Sequence, residues 1–117
     1  MIKIGNTQLD TIIARTPEEQ AQGLSDLESL PENKCLVFPF STTLPKHLFN
    51  TTKMLFPIDI ICIRDKKIIY IEKNVEKGKI MIVLPSSSFI IEINAGICDK
   101  NKWTVGMMVY GFDGINK

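Results

Sequence analysis

A small group of polar side chains near the most apolar segments of this chain could do chemistry. Asp59 follows Pro57 within the apolar run PIDIICI. A carboxylate in such a strand has to be hydrogen-bonded, paired with a cation, or held at a pocket. Lys53 is the nearest cation that precedes it in the sequence, and Glu92 and Asn94 lie in a second apolar run. We therefore take Asp59, Lys53, Glu92 and Asn94 as the candidate ligand-binding residues.

The sequence leaves three roles open for Asp59. In the favoured interpretation its carboxylate accepts backbone N–H hydrogen bonds from a loop and holds that loop in place. In the second, Asp59 faces a ligand pocket together with Lys53. In the third, Glu92 and Asn94 lie beside Asp59 on a neighbouring strand. Two carboxylates sharing one site would raise the pKa of one of them and permit general acid–base catalysis.

The cysteines and the histidine add no further site. Cys35, Cys62 and Cys98 are far apart, lie beside apolar residues and form no CxxC pair. This pattern is typical of small buried side chains in a reducing compartment, with one disulfide and a spare thiol as the alternative. His47 is the only histidine, so neither a zinc site nor a catalytic nucleophile–histidine pair is expected. We predict no catalytic residue, no metal and no cofactor.

Size and charge restrict the class of protein. A chain of 117 residues is suited to a single domain, residues 1–117. A formal charge of +1 with scattered acidic and basic residues offers no basic stripe for nucleic acid. No apolar run approaches the length of a membrane span, and the N-terminus is too polar for a secretion signal. We expect a soluble protein that is cytoplasmic or virion-associated and binds neither nucleic acid nor membrane.

The segment 57–75 organises the predicted fold. From Ile58 to Ile63 both alternating sets of side chains are largely apolar, which predicts a central strand covered on both faces. Four charged residues, 64–67, interrupt the apolar pattern before it resumes at Ile68. This arrangement predicts a hairpin, although the turn lacks an Asn-Gly or Asp-Gly pair.

The other elements follow from local signals. Thr16, Pro17 and Glu19 form a capping box that predicts a helix from Pro17 to about Leu24. Asn94 is expected to cap a short helical turn within 95–102 or, alternatively, to bind a ligand. Further strands are predicted over 2–4, 9–14, 35–40, 79–84, 89–94 and 107–112. The long connection 41–52 is the natural place for a binding surface, and residues 113–117 are expected to be a frayed tail.

Several segments, in this order and at these spacings, resemble the bacterial and archaeal domain of unknown function 192. The resemblance covers about residues 14–109. Its most specific parts are the helix opening, the PIDI strand, and an INAG motif followed by VG. The matching segments are ARTPEEQAQGLSDLESLPEN, CLVFPF, LFPIDIICIRDKKIIYIEKNV and IEINAGICDKNKWTVGMMV.

The resemblance implies a single compact, mostly β (α+β), antiparallel or mixed barrel-like domain with one or two short helices, and no established reaction. Relatives typically carry aromatic-Trp-Met-Lys-Asn-Thr before the PIDI strand, whereas residues 49–54 here read FNTTKM. The Trp and the Asn of that pattern are missing. If a pocket shared by the family depends on those two side chains, this chain has altered or lost it.

Two functions of different class remain. The favoured one is a non-catalytic interaction or structural module, such as a small accessory subunit of a larger assembly, including a viral one. Unpaired strand edges would then meet a protein partner or a second copy. The alternative is a small-ligand-binding domain or an enzyme that uses a polar pocket around Asp59.

Overall fold

The computed structural model describes residues 1–40 and 45–113, which form nine strands and two short helices. The strands are β1 (Ile2–Ile4), β2 (Thr7–Ile13), β3 (Lys34–Pro39), β4 (Lys46–Phe49), β5 (Ile58–Arg64), β6 (Lys67–Val75), β7 (Ile82–Pro85), β8 (Phe89–Asn94) and β9 (Val109–Tyr110). The helices are α1 (Pro17–Gln22) and α2 (Ile97–Lys100). Within the described residues, neither helix has the length and apolar character needed to cross a membrane.

Seven of the strands form one sheet in the order β6-β5-β8-β3-β2-β1-β9. The β2–β3 pair is parallel and the other pairs are antiparallel, so the sheet is mixed. A bridge between Lys67 and Met108 joins β6 to the residues just before β9, which nearly closes the sheet. The predicted fold class, a mostly β barrel-like domain with short helices, is confirmed. The other two strands, β4 and β7, pair with each other in a separate two-stranded sheet.

The main sheet carries an apolar cluster on each face. We call these the Trp103 face and the Phe38 face, after a buried aromatic residue in each cluster. Along β5, Ile61 belongs to the Trp103 face and Ile60 to the Phe38 face, and both are fully buried. The prediction that this strand is covered on both faces is therefore confirmed. The Phe38 face is covered in part by side chains of β7 and by Leu24, which follows α1.

The predicted central hairpin is present and turns at Asp65 and Lys66. Their φ angles are 54° and 64°, so both residues adopt the left-handed conformation. Positive φ at both positions is the requirement of a type I′ two-residue hairpin loop, whose backbone twist matches the twist of the flanking strands. The turn therefore forms without the glycine that normally makes it recognisable in a sequence.

The capping box at the start of α1 is present as predicted. The Glu19 backbone N–H donates to Thr16 Oγ1 at 3.1 Å, and the Thr16 N–H donates to Glu19 Oε1 at 3.0 Å. The helix ends at Gln22, and Gly23 follows with φ 54° and ψ −130°. Only glycine adopts such a conformation without strain, so Gly23 ends the helix and turns the chain towards the sheet.

Three predictions of local structure were wrong. The connection predicted over 41–52 contains the strand β4. This strand was missed because its partner β7 is remote in sequence. Residues 41–44 of the connection lie outside the described residues. The strand predicted over 79–84 begins only at Ile82, since Lys79, Ile80 and Met81 are exposed. The last strand is confined to Val109–Tyr110. Of the predicted tail, residues 114–117 also lie outside the described part of the chain.

Candidate functional site

The register between β5 and β8 separates the candidate residues. Asp59 lies opposite Ile93, whereas Ile60 lies opposite Glu92 and Ile58 opposite Asn94. Because residues that face each other across a strand pair share a face and successive residues alternate, Asp59 projects to the Trp103 face and Glu92 to the Phe38 face. The expected placement of Glu92 and Asn94 beside Asp59 was therefore wrong, although their strands are neighbours.

Asp59 holds two other segments by their backbones. Its side chain is buried, with 1% of the residue exposed. Oδ1 accepts a hydrogen bond from the Asn74 N–H at 2.9 Å, and Oδ2 accepts one from the Cys98 N–H at 3.0 Å. These contacts join β6 to the first turn of α2 through the Asp59 side chain. Asn74, the residue of β6 that makes the contact, has φ 53°. Of the three roles considered for Asp59, the loop-anchoring role is the one that predicts such contacts with backbone N–H groups.

Asn94 also makes a structural contact. Its Nδ2 donates to the Leu30 backbone oxygen at 2.5 Å, which ties β8 to the connection between α1 and β3. The helix α2 begins instead after Gly96, which has φ 93° and makes no side-chain capping bond. The prediction that Asn94 caps this helix was wrong, because its side chain is directed to a different segment.

A cavity of about 620 Å³ opens on the Phe38 face between α1 and β4. Lys53 and Glu92, two of the four candidate residues, line it, whereas Asp59 and Asn94 do not. The remaining walls come from residues 20–25, 46–50, Phe38, Phe40, Thr52 and Met54. Most of the segment 49–54, where the family's typical Trp and Asn are missing, thus contributes to the cavity wall.

Glu92 supplies a buried acid to this cavity. It lies on β8, between β5 and β3, with Ile60 and Leu36 directly opposite on the two neighbouring strands. Only 4% of the residue is exposed, and its Oε1 has no hydrogen-bond partner among the described residues. A Cβ placed on Gly23 would lie 3.3 Å from that oxygen, so the glycine lets the cavity wall pass close to the carboxyl group.

Burial also changes the protonation of Glu92. Desolvation raises its pKa to about 8 from the ordinary value of 4.5, because the charged form loses its hydration in an apolar surrounding. Near neutral pH the side chain is therefore largely a neutral carboxylic acid. A cation placed against it would favour the ionised form and lower this pKa again.

Aromatic rings line the same cavity as the acid. The Phe38 and Phe49 rings meet edge to face with centroids 4.9 Å apart, and Phe40 lies against His47 with centroids 4.1 Å apart. His47 is buried, its Nε2 accepts a hydrogen bond from the Ser87 N–H at 3.3 Å, and burial lowers its pKa. The imidazole is therefore a neutral part of the wall. Sequence reasoning did not assign these rings or Gly23 to a site. The only available signal was the position of this glycine at the end of a predicted helix.

The three cysteines do not contribute a reactive thiol to the lining of this cavity. The three cysteines are buried and free, and burial raises the pKa of Cys35 to about 12 and that of Cys62 to about 11, so neither forms a thiolate near neutral pH. Among residues 1–40 and 45–113, no group of three or more His, Cys, Asp or Glu side chains is placed to hold a metal ion. A buried acid, aromatic rings and two exposed lysines, Lys46 and Lys53, remain.

Replacing Asp59 by Asn should lower the free energy of unfolding by about 1–3 kcal/mol, since the amide offers one acceptor where two N–H groups need partners. Urea titration of the purified protein measures this change. Asp65→Asn is the matched control at an exposed turn position, where we expect a change below about 0.5 kcal/mol. An Asp59→Asn protein of wild-type stability would remove the anchoring role.

Replacing Glu92 by Gln should change how stability depends on pH. Between its unfolded-state pKa near 4.5 and its folded-state pKa of about 8, Glu92 binds more protons in the folded protein, so wild-type stability falls as pH rises through this window. The slope due to this group is at most about 1.4 kcal/mol per pH unit. Urea titrations from about pH 5 to about pH 9 should show Glu92→Gln gaining stability relative to wild type. Parallel curves for Glu92→Gln, wild type and the exposed control Glu28→Gln would contradict the shifted pKa.

Known proteins resemble this chain in fold. A crystal structure of a protein of unknown function from Novosphingobium aromaticivorans DSM 12444 matches with a TM-score of 0.82 and 23% identity, covering 88% of this chain and 75% of that one. A crystal structure from Sinorhizobium meliloti 1021, provisionally named a transcription regulator, matches with a TM-score of 0.81 and 22% identity, covering 88% and 81%. None of the curated proteins matches this chain.

The sequence also matches a protein family along most of its length. The match is to the domain of unknown function 192, DUF192, described as an uncharacterized ACR, and it runs from residue 1 to residue 111. It extends beyond the region of about 14–109 on which the resemblance was first recognised and includes the opening β1–β2 hairpin. The chain belongs to the DUF192 family.

Proposed function

We propose that this protein is a small-ligand-binding domain whose cavity on the Phe38 face takes a ligand through Glu92. The observation that supports this most directly is the Glu92 Oε1, which is buried at the cavity wall without a hydrogen-bond partner. Of the two functions considered from the sequence, this is the pocket function, with its centre moved from Asp59 to Glu92.

An unpartnered buried oxygen of this kind destabilises the fold. Leaving a buried polar group unsatisfied costs about 1–3 kcal/mol, and more when the group is charged. Asp59 on the opposite face avoids that cost because both of its oxygens accept backbone hydrogen bonds. An uncompensated group beside an open cavity is best explained by a ligand that supplies the missing donor.

The size and lining of the cavity suit an organic ligand. Its volume of about 620 Å³ lies within the range of about 300–1,000 Å³ usual for small-molecule sites. Aromatic walls bury the apolar part of a ligand, while a single acid fixes the position of one polar group. A protonated amine fits the acid best. It donates hydrogen bonds to the carboxylate, and its positive charge compensates the negative charge of the buried carboxylate.

A simple amine tests this proposal. We expect n-butylammonium to bind and to shift the amide resonances of Gly23, Phe38 and Glu92 in NMR titrations at about pH 8. Glu92→Gln should weaken binding about tenfold or more, since a charge-assisted hydrogen bond is lost. Wild-type affinity should rise from about pH 6 to about pH 8 as Glu92 ionises while the amine stays protonated.

Two controls make the result specific. Glu28→Gln alters an exposed acid outside the cavity and should bind the amine like wild type. Asp59→Asn should lose stability and keep the affinity of the remaining folded protein. Equal affinity of Glu92→Gln and wild type, or resonance shifts confined to residues outside the cavity, would refute the proposal.

A second candidate function is the interaction module, an accessory subunit of a larger assembly in the cytoplasm or in a virus particle. Exposed apolar side chains on the β4–β7 sheet favour it. Leu48 and Val83 lie directly opposite each other and are 58% and 52% exposed, and Met81 and Ile80, which precede β7, are 64% and 83% exposed. Contiguous exposed apolar side chains are typical of interfaces between proteins.

If this surface joins two copies of the chain, the native mass should correspond to a dimer or larger oligomer at micromolar concentration. Light scattering coupled to size-exclusion chromatography measures the mass. Leu48→Ser combined with Val83→Ser should then give a monomer, whereas Ile12→Ser, at another exposed apolar position, should leave the oligomer intact. A wild-type monomer would argue against self-association through this sheet.

A further inference from the structure

The strand β4 borders the cavity with an edge that has no partner strand. In its two-stranded sheet, β4 pairs only with β7, so among the described residues its other edge is unpaired. Such an edge presents a row of N–H and C=O groups that another strand can use. Neither β4 nor β7 takes part in the seven-stranded sheet.

The residues that line the cavity place the strand β4 at its wall. Five consecutive residues, 46–50, line the cavity. Side chains alternate along a strand, so one face of a strand would contribute only every second residue. Leu48 pairs with Val83, and both side chains are exposed, whereas the flanking His47 is buried. An uninterrupted run that includes Leu48 therefore indicates that residues from both faces of β4 border the cavity.

We propose that the ligand is an extended peptide segment of a partner protein. It adds as a strand to the free edge of β4 and directs a lysine or arginine side chain to Glu92. This inference rests on the proposed function, because it takes Glu92 as the ligand-binding group. It adds the class of ligand and the way the ligand is held.

Each part of the site fits one part of such a peptide. The unpaired edge of β4 matches the peptide main chain, as in other complexes formed by strand addition. The buried carboxyl group of Glu92 matches a basic side chain, which would complete a charge-assisted pair. The rings of Phe38 and Phe49 favour a cation beside them and cover its apolar stem.

Charge at the rim refines the expected sequence of the peptide. Lys46 and Lys53 line the cavity and are exposed. They favour acidic residues on either side of the basic anchor, since opposite charges at a rim guide association and orientation. The segment we expect is thus extended, with β-branched residues around one basic residue and acidic residues at its ends.

A set of synthetic peptides tests the basic anchor. The host is acetyl-Glu-Thr-Val-X-Val-Thr-Glu-amide with a fluorescent label, where X is Lys, Arg, Gln or norleucine, and binding is followed by fluorescence anisotropy. With the full-length protein we expect the Lys and Arg peptides to bind about tenfold more tightly than the norleucine peptide. Glu92→Gln should remove this preference, and the exposed control Glu28→Gln should keep it.

N-methylation of the Lys peptide tests strand addition. In an added strand only every second residue donates its N–H group to the edge of β4. Methylating the amides of that set of residues should weaken binding about tenfold, whereas methylating the amides of the intervening residues should leave binding unchanged. Equal effects of the two sets would overturn strand addition.

Comparison with n-butylammonium separates the two proposals. If the Lys peptide binds no more tightly than the amine, strand addition is wrong while the amine site on Glu92 stands. If neither probe distinguishes wild type from Glu92→Gln, the proposed function and this inference both fail. Tighter binding of the norleucine or Gln peptide than of the Lys and Arg peptides would overturn the basic anchor alone.

Discussion

The pairing register of β5 and β8 is the constraint on which the rest of this structure depends. Both strands lie in the interior of the main sheet, and nearly all of their side chains are buried. Since side chains alternate with a period of two, a slip of one residue would exchange the two faces. The observed register sends Asp59 towards α2 and Glu92 towards the cavity. The anchoring contacts of Asp59 and the cavity lined by Glu92 therefore lie on opposite sides of one sheet.

The two buried acids show how their surroundings decide their roles. The β5–β6 hairpin and the start of α2 bring two backbone N–H groups to Asp59, and its carboxylate stabilises the contact between them. Glu92 has apolar neighbours across both adjacent strands and a glycine in front of it, so nothing in the described chain satisfies its Oε1. Desolvation then raises its pKa. Sites that bind ligands commonly retain such local instability.

The cavity exists because the cover of the Phe38 face is made from separate pieces. The helix α1 is short, ends at Gly23, and has no buried residue of its own. The β4–β7 sheet covers another part of the same face and is not continuous with the main sheet. The space between these pieces is lined by Glu92 and by β4. Our proposal of a peptide ligand combines, at this one place, the pocket and interaction functions that were considered from the sequence.

Local physical signals in the sequence determined a large part of the fold. The capping box located α1, the doubly apolar pattern located β5 as a central strand, and the charged interruption at 64–67 located the hairpin. The same reasoning recognised that a carboxylate at Asp59 needs partners. Each of these signals involves neighbours along the chain, so propensity, capping and periodicity are sufficient to read them.

Contacts between remote residues were decided only by the tertiary structure. The sequence contained Glu92 and Lys53 as candidates but could not place them in one cavity or exclude Asp59 and Asn94 from it, because a face is set by register and not by composition. The strand β4 went unrecognised for the same reason, since its pairing with β7 joins residues more than thirty positions apart. Alternation along a strand shows which side chains share a face; only the packed sheet shows what that face meets.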